Sequence, residues 1–204
     1  LALLQHLSTS LGEIQELQFT TIGPTVGQTL KKRALVALAV AAVAIILYIA
    51  AAFRRVPKRL SPWRFGVIAV VALLHDILIT VGIFITLGTF TTFQVDTLFV
   101  TALLSIMGYS VNDTIVIFDR IRDNVFLEGN VNDFAGLAER SLRQTLTRTI
   151  NTGFGALIML CALFFLGSES IRWFILTLIV GTVIGTYSSF FIATPLLVLW
   201  KKRT

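Results

Sequence analysis

The chain has 204 residues, 55% of them hydrophobic and only 14% charged, with a formal net charge of +6. Its mean hydropathy of +0.85 excludes an ordinary water-soluble domain. The excess charge does not describe a nucleic-acid partner, because the 17 Lys and Arg residues cluster at the ends of apolar runs instead of forming a basic stripe, an arrangement that suits lipid headgroups.

Residues 1–30 are mixed in polarity and carry turn chemistry in Gly23, Pro24 and Gly27. They lack the charged start and apolar core of a signal peptide. They read as the end of an extracytoplasmic domain and its connector, ahead of a transmembrane helical domain over residues 31–200 and a short cytoplasmic tail, residues 201–204.

Five runs reach the ~20 apolar residues needed to cross a bilayer as a helix. Their expected limits are about 34–53, 65–88, 96–118, 149–167 and 173–199. Transmembrane strands are shorter and alternate in polarity, so the sequence predicts an all-α integral membrane protein. Between the third and fourth runs, Leu137, Leu142 and Leu146 recur among charges, which predicts an amphipathic helix over about residues 132–147 on the membrane surface.

Positive charge gives the orientation, since it accumulates in cytoplasmic loops. The first and third connections and the tail hold thirteen of the Lys and Arg residues, and the alternate connections hold four. The C-terminus is therefore expected in the cytoplasm and the N-terminal stretch outside, which in turn implies an earlier membrane helix before residue 1.

Polar groups inside the runs are the candidates for function, because an ionisable side chain near the bilayer centre costs about 2.5–3.5 kcal/mol and needs a protein or water partner. The second run contains His75 and Asp76, readable as a hydrogen-bonded pair tying two helices together or as a secondary polar site. The third contains Asn112 and Asp113, placed by their spacing on one sector with Ser105, Gly108 and Tyr109. The fourth opens with Arg148, Asn151, Thr152 and Gly155 on one stripe. The fifth carries Gly181, Gly185 and Ser189 at four-residue spacing, the pattern that lets helix backbones approach closely. Arg148 is readable as a snorkelling cap of its helix. Asp113 stands too deep for that. Burial disfavours its charge and an adjacent guanidinium such as Arg148 favours it, so the pair is readable as a proton relay or as a static ion pair.

Cys161 is the only cysteine, so no internal disulfide exists, and no metal-ligand spacing, cofactor motif or catalytic nucleophile stands out.

The segment "GYSVNDTIVIFDRIRDN", with "LLHDILITVGIF" before it and "SLRQTLTRTINT" and "GTVIGTYSSFFIATPLL" after it, resembles the SecF protein-export membrane protein family, either alone or as the SecF half of a fused SecD–SecF chain. The resemblance implies six membrane helices, of which this chain would hold the second to sixth, in a bacterial or archaeal cytoplasmic membrane. It implies SecD as a pseudo-symmetric partner, the SecYEG–SecA translocon and a translocating unfolded polypeptide as further partners, and use of the proton gradient to complete export. Carried onto these positions, it implies Asp113 and Arg148 as proton-pathway residues with Asn112 as a polar neighbour. Asp119, Arg120 and Arg122 read as interfacial. The rival readings are a proton-coupled small-molecule exporter and a purely structural partner of SecD.

Overall fold

The computed structural model describes residues 24–54, 61–91, 93–128 and 133–202. The chain divides into two units, Leu1–Leu35 and Val36–Thr204. In the first, the described residues are helical; the rest of that stretch, including the connector expected from Gly23, lies outside the described residues. The second unit holds the bundle.

Among the described residues six α-helices follow in order: α1 (Pro24–Ala52), α2 (Pro62–Gly88), α3 (Thr97–Glu128), α4 (Phe134–Leu166), α5 (Arg172–Ser188) and α6 (Thr194–Lys202). A π turn, Ser189–Ala193, joins α5 to α6 and a 3₁₀ turn, Glu169–Ile171, precedes α5. No strand occurs among the described residues. Five helical stretches are long and apolar enough to cross a membrane, the last running through α5, the π turn and α6. The protein is an all-α multi-pass membrane protein.

Local chemistry sets the helix ends. Pro62 opens α2, where a missing N–H costs nothing. Asp96 caps α3 by accepting from Phe99 N at 2.8 Å, and Asp133 caps α4 by accepting from Gly136 N at 3.0 Å, each satisfying an otherwise orphaned donor. The π turn has a cause in Pro195. Proline cannot donate to Phe191 and its ring crowds that carbonyl, so the regular ladder opens just before it.

Two apolar layers build the bundle. At one end Phe53, Phe65, Phe118, Ile121, Leu137 and Leu197 draw together the end of α1, the start of α2, the end of α3, the start of α4, and α6, with Phe65 stacked at 5.2 Å on Phe53 and edge-on at 5.3 Å to Phe118. At the other end Phe84, Phe93, Phe99 and Ile106 pack with Trp173. Between these layers a smaller apolar cluster of Leu73, Ile77 and Met107 stands beside a set of buried polar side chains, Asp76, Ser110, Asp113, Thr114 and Ser188.

The segment expected as an amphipathic surface helix runs on into the fourth membrane run. Residues 134–147 are the first turns of α4, continuous with its membrane run. With 32 and 33 residues, α3 and α4 are each about 50 Å long, well beyond a ~30 Å hydrocarbon core. Their outer ends form a hairpin. Phe134, Leu137 and Ala138 pack on Ile121 and Val125, so this part of the apolar stripe meets α3. Only Leu146 stays exposed. Buried Asn124 fastens the hairpin by donating to Ser141 Oγ at 2.8 Å and Gln144 Oε1 at 2.9 Å. Arg120 Nε also donates to Gln144 Oε1, at 2.6 Å, and Arg140 pairs with Glu128 at 2.6 Å. Arg122 pairs with Asp119 at 2.7 Å and lies over the Phe53 ring.

Candidate functional site

The polar layer grows from a close approach of α5 to α3. Gly181, Gly185 and Ser189 form one face of α5 and the π turn, and they meet Ile106, Ser110 and Thr114, which repeat at the same spacing on α3. A β carbon at Gly181 would overlap the Ile106 side chain. Ser189 and Thr114 share a hydrogen bond of 2.9 Å. Small residues here bring the two backbones close enough for short hydroxyl side chains to reach across.

Two carboxylates use that reach. Asp76, on α2, is 0% exposed. Its Oδ2 accepts from Ser110 Oγ of α3 at 2.5 Å and from Ser188 Oγ of α5 at 2.8 Å. Its backbone carbonyl accepts from Thr80 at 2.8 Å. His75 Nδ1 lies 3.1 Å from Asp76 Oδ1. That contact is between chain neighbours, so His75 does not tie two helices; Asp76 does, through the two serines.

Asp113, on α3, is 2% exposed and its Oδ2 accepts from Thr186 Oγ1 of α5 at 3.2 Å. Gly153 of α4 backs this contact: a β carbon there would stand 3.2 Å from the Tyr109 hydroxyl and 3.4 Å from Thr186 Oγ1. The Tyr109 hydroxyl is buried next to Thr186 without a hydrogen bond of good geometry.

The structure separates other residues that the sequence placed together. Arg148 is exposed, and among the described residues no ion pair within 4 Å joins it to Asp113. Asn112, Asn151 and Thr152 are also exposed, with Thr152 Oγ1 donating to the Arg148 carbonyl at 2.9 Å. The stripe of Arg148, Asn151, Thr152 and Gly155 faces out of the bundle. The inward stripe of α4 is Ser141, Thr145, Thr149 and Gly153. Likewise Ser105, Gly108 and Asn112 face outward on α3, whereas Ser110, Asp113, Thr114 and Ile117 face inward.

Sequence reasoning missed Ser110, Thr114, Thr186 and Ser188. Their one signal is spacing: Ser110 lies three residues before Asp113, and Ser188 three after Gly185.

Chemically, two acids on adjacent helices hold α5 through hydroxyl donors. Each bond depends on the charge of the acid that accepts it, because a bond to an ionised acceptor is roughly twice as strong as a neutral one.

The family model described as protein export membrane protein SecD/SecF, C-terminal, matches residues 3–203. A protein translocase subunit SecF from Thermobaculum terrenum is 46% identical over 199 residues, covering 98% of this chain and 62% of that protein. A protein translocase subunit SecDF from Thermus thermophilus is 39% identical over 200 residues, 98% of this chain and 25% of that one. A crystal structure of SecDF in a super-membrane-facing form superposes with a TM-score of 0.77 at 35% identity, covering 99% of this chain and 26% of the other. The chain thus spans 62% of the length of the SecF relative and a quarter of the SecDF chain.

Proposed function

This chain belongs to the SecD/SecF family of protein export membrane proteins, and from that premise we propose that it is the membrane-embedded part of an accessory subunit of the Sec translocase, one that uses the proton motive force to promote late-stage protein export. The observation that carries the proton-driven reading is Asp113, a carboxyl 2% exposed within a membrane span and held by the hydroxyl of Thr186 on another helix. An ionised carboxylate left in such a place without a cation costs several kcal/mol; a protonated one with a hydroxyl partner does not. The arrangement suits the proton-loaded state of a carrier.

In the complementary state, Arg148 reaches Asp113 and compensates its charge. Exchange between the two states moves α3 and α4 against α5. A one-unit pH difference supplies about 1.4 kcal/mol per proton and 100 mV adds about 2.3 kcal/mol, together enough to bias a two-state element by about 500-fold.

The partners follow from the same premise. The outward polar face of Asn112, Arg148, Asn151 and Thr152 needs cover within a bilayer, and a SecD half supplies it. The subunit then works on an unfolded polypeptide emerging from SecYEG–SecA, in the bacterial cytoplasmic membrane. The concentration of Lys and Arg in alternate loops supports a cytoplasmic C-terminus.

Asp113→Asn in the full-length protein, with its SecD partner, is the test. Export into membrane vesicles is expected to lose its dependence on the proton motive force while the complex still assembles; unchanged dependence refutes the reading.

A further inference from the structure

Asp76 joins more of the bundle than Asp113 does. One side chain on α2 receives a hydroxyl from α3 and another from α5, both on Oδ2, while Oδ1 faces His75. Asp76 is 0% exposed and the His75 side chain is 32% exposed, so the imidazole lies between the acid and the outside of the bundle. The surroundings are otherwise neutral. Near this level α1 turns Leu38, Ala41 and Ile45 toward the bundle, and the π turn contributes Ser189 and Ala193 as its buried residues. On α3 the titratable groups flanking Ser110 are Tyr109, whose buried hydroxyl lies by Gly153 of α4, and Asp113, which bonds Thr186. Among the described residues no Lys or Arg forms an ion pair with Asp76.

We propose that His75 and Asp76 form a second proton-holding site, with His75 as its port, whose state of charge latches or frees the π turn between α5 and α6.

The proton balance is simple. Neutral His75 donates Nδ1–H to the Asp76 carboxylate. When Nε2 takes up a proton, the Nδ1 proton passes to Asp76 Oδ1. The imidazole ends neutral with its hydrogen on Nε2, the carboxyl gains one proton, and no other reactant is needed. Oδ2 then changes from a charged acceptor to a neutral one, and both serine bonds weaken together.

Ser188 can let go without becoming an orphan. Its hydroxyl is already shared with the Gly185 carbonyl at 3.1 Å in its own helix, so release leaves it satisfied. The next five residues are the π turn, where Ser189 Oγ donates to the Gly185 carbonyl at 3.0 Å and Thr194 Oγ1 to the Ser189 carbonyl at 3.1 Å. A π turn carries one residue more than an α turn and is a place where a helix can shift its register. The latch sits beside the irregular turn of the last membrane span.

Infrared difference spectroscopy on the full-length protein with its SecD partner in lipid vesicles, stepped to lower pH, tests this. Two buried-carboxyl bands are expected, one lost in Asp76→Asn and the other in Asp113→Asn. His75→Gln should keep the Asp76 band but slow its rise after a pH jump by roughly a hundredfold. Ser188→Ala keeps the acid and should shift its band, since the carbonyl stretch senses its hydrogen bonds; this variant carries the test if Asp76→Asn does not fold. A spectrum that neither Asp76→Asn nor Ser188→Ala alters overturns the proposal. Loss of the Asp113 band from the wild type with the Asp76 band retained supports this site while removing the carrier role of Asp113.

Discussion

Gly185 of α5 lies so close to Ser110 of α3 that a β carbon on the glycine would stand 2.8 Å from Ser110 Cβ and 3.2 Å from its hydroxyl oxygen. This contact sets the height of the polar layer. With α5 this close to α3, Ser188 of α5 reaches Asp76 at 2.8 Å beside Ser110 of α3 at 2.5 Å.

Gly185→Ala should therefore act on the layer as a whole. The nearest obstacle is Ser110 Cβ at 2.8 Å, which cannot rotate away, so α5 must move off α3. A loss of about 1–3 kcal/mol is expected from overpacking, read as a lower Tm in detergent, together with loss of the Ser188–Asp76 bond that ties α5 to α2. An unchanged Tm would mean the helices are less tightly fixed than described.

Thr186→Val keeps the shape and removes the hydroxyl that Asp113 accepts at 3.2 Å. Stability should fall by about 0.5–1.5 kcal/mol, and the dependence of export on the proton motive force should change. Thr186→Ser should restore both. Rescue by serine separates the hydroxyl's role from simple packing.

Arg148 is exposed in the separated chain, so Arg148→Ala should shift its unfolding free energy by less than about 0.5 kcal/mol. If the guanidinium meets Asp113 in the complementary state, the same variant should abolish proton-driven export, and Arg148→Lys should restore it poorly because a point charge replaces a planar fork. Normal export by the alanine variant would remove Arg148 from the cycle.

Asn124 holds the hairpin beyond the membrane run through Ser141 and Gln144. Asn124→Ala should cost about 1–3 kcal/mol, and hydrogen exchange over residues 119–128 and 134–147 should accelerate while the membrane-embedded half of α4 stays protected. Uniform exchange along α4 would contradict a separately fastened hairpin.

Much of the architecture was legible in the chain. Runs of ~20 apolar residues gave the five crossings, and five helical stretches long and apolar enough to cross a membrane match them in number and order, with α3 and α4 continuing beyond their runs as hairpin arms. Asp76 and Asp113 stood out because a carboxyl is expensive in a bilayer. The stripe of Gly181, Gly185 and Ser189 marked the face of α5 that meets α3. The amphipathic stripe around Leu137 was visible too, but an apolar stripe fits lipid and a facing helix equally well, and the choice of α3 came from Ile121 and Val125.

The sequence by itself determined the crossings, the family resemblance and the presence of acids that lipid would reject. Only the tertiary structure decided how each helix is turned: Asp113 inward and Asn112 outward, Thr149 inward and Arg148 outward. A soluble helix announces its buried side by contrast between an apolar and a polar face. In a membrane both lipid and protein accept apolar side chains, that contrast vanishes, and the rotation of a helix is fixed by close packing and by hydroxyls such as Ser110, Thr186 and Ser188, whose partners lie far away along the chain.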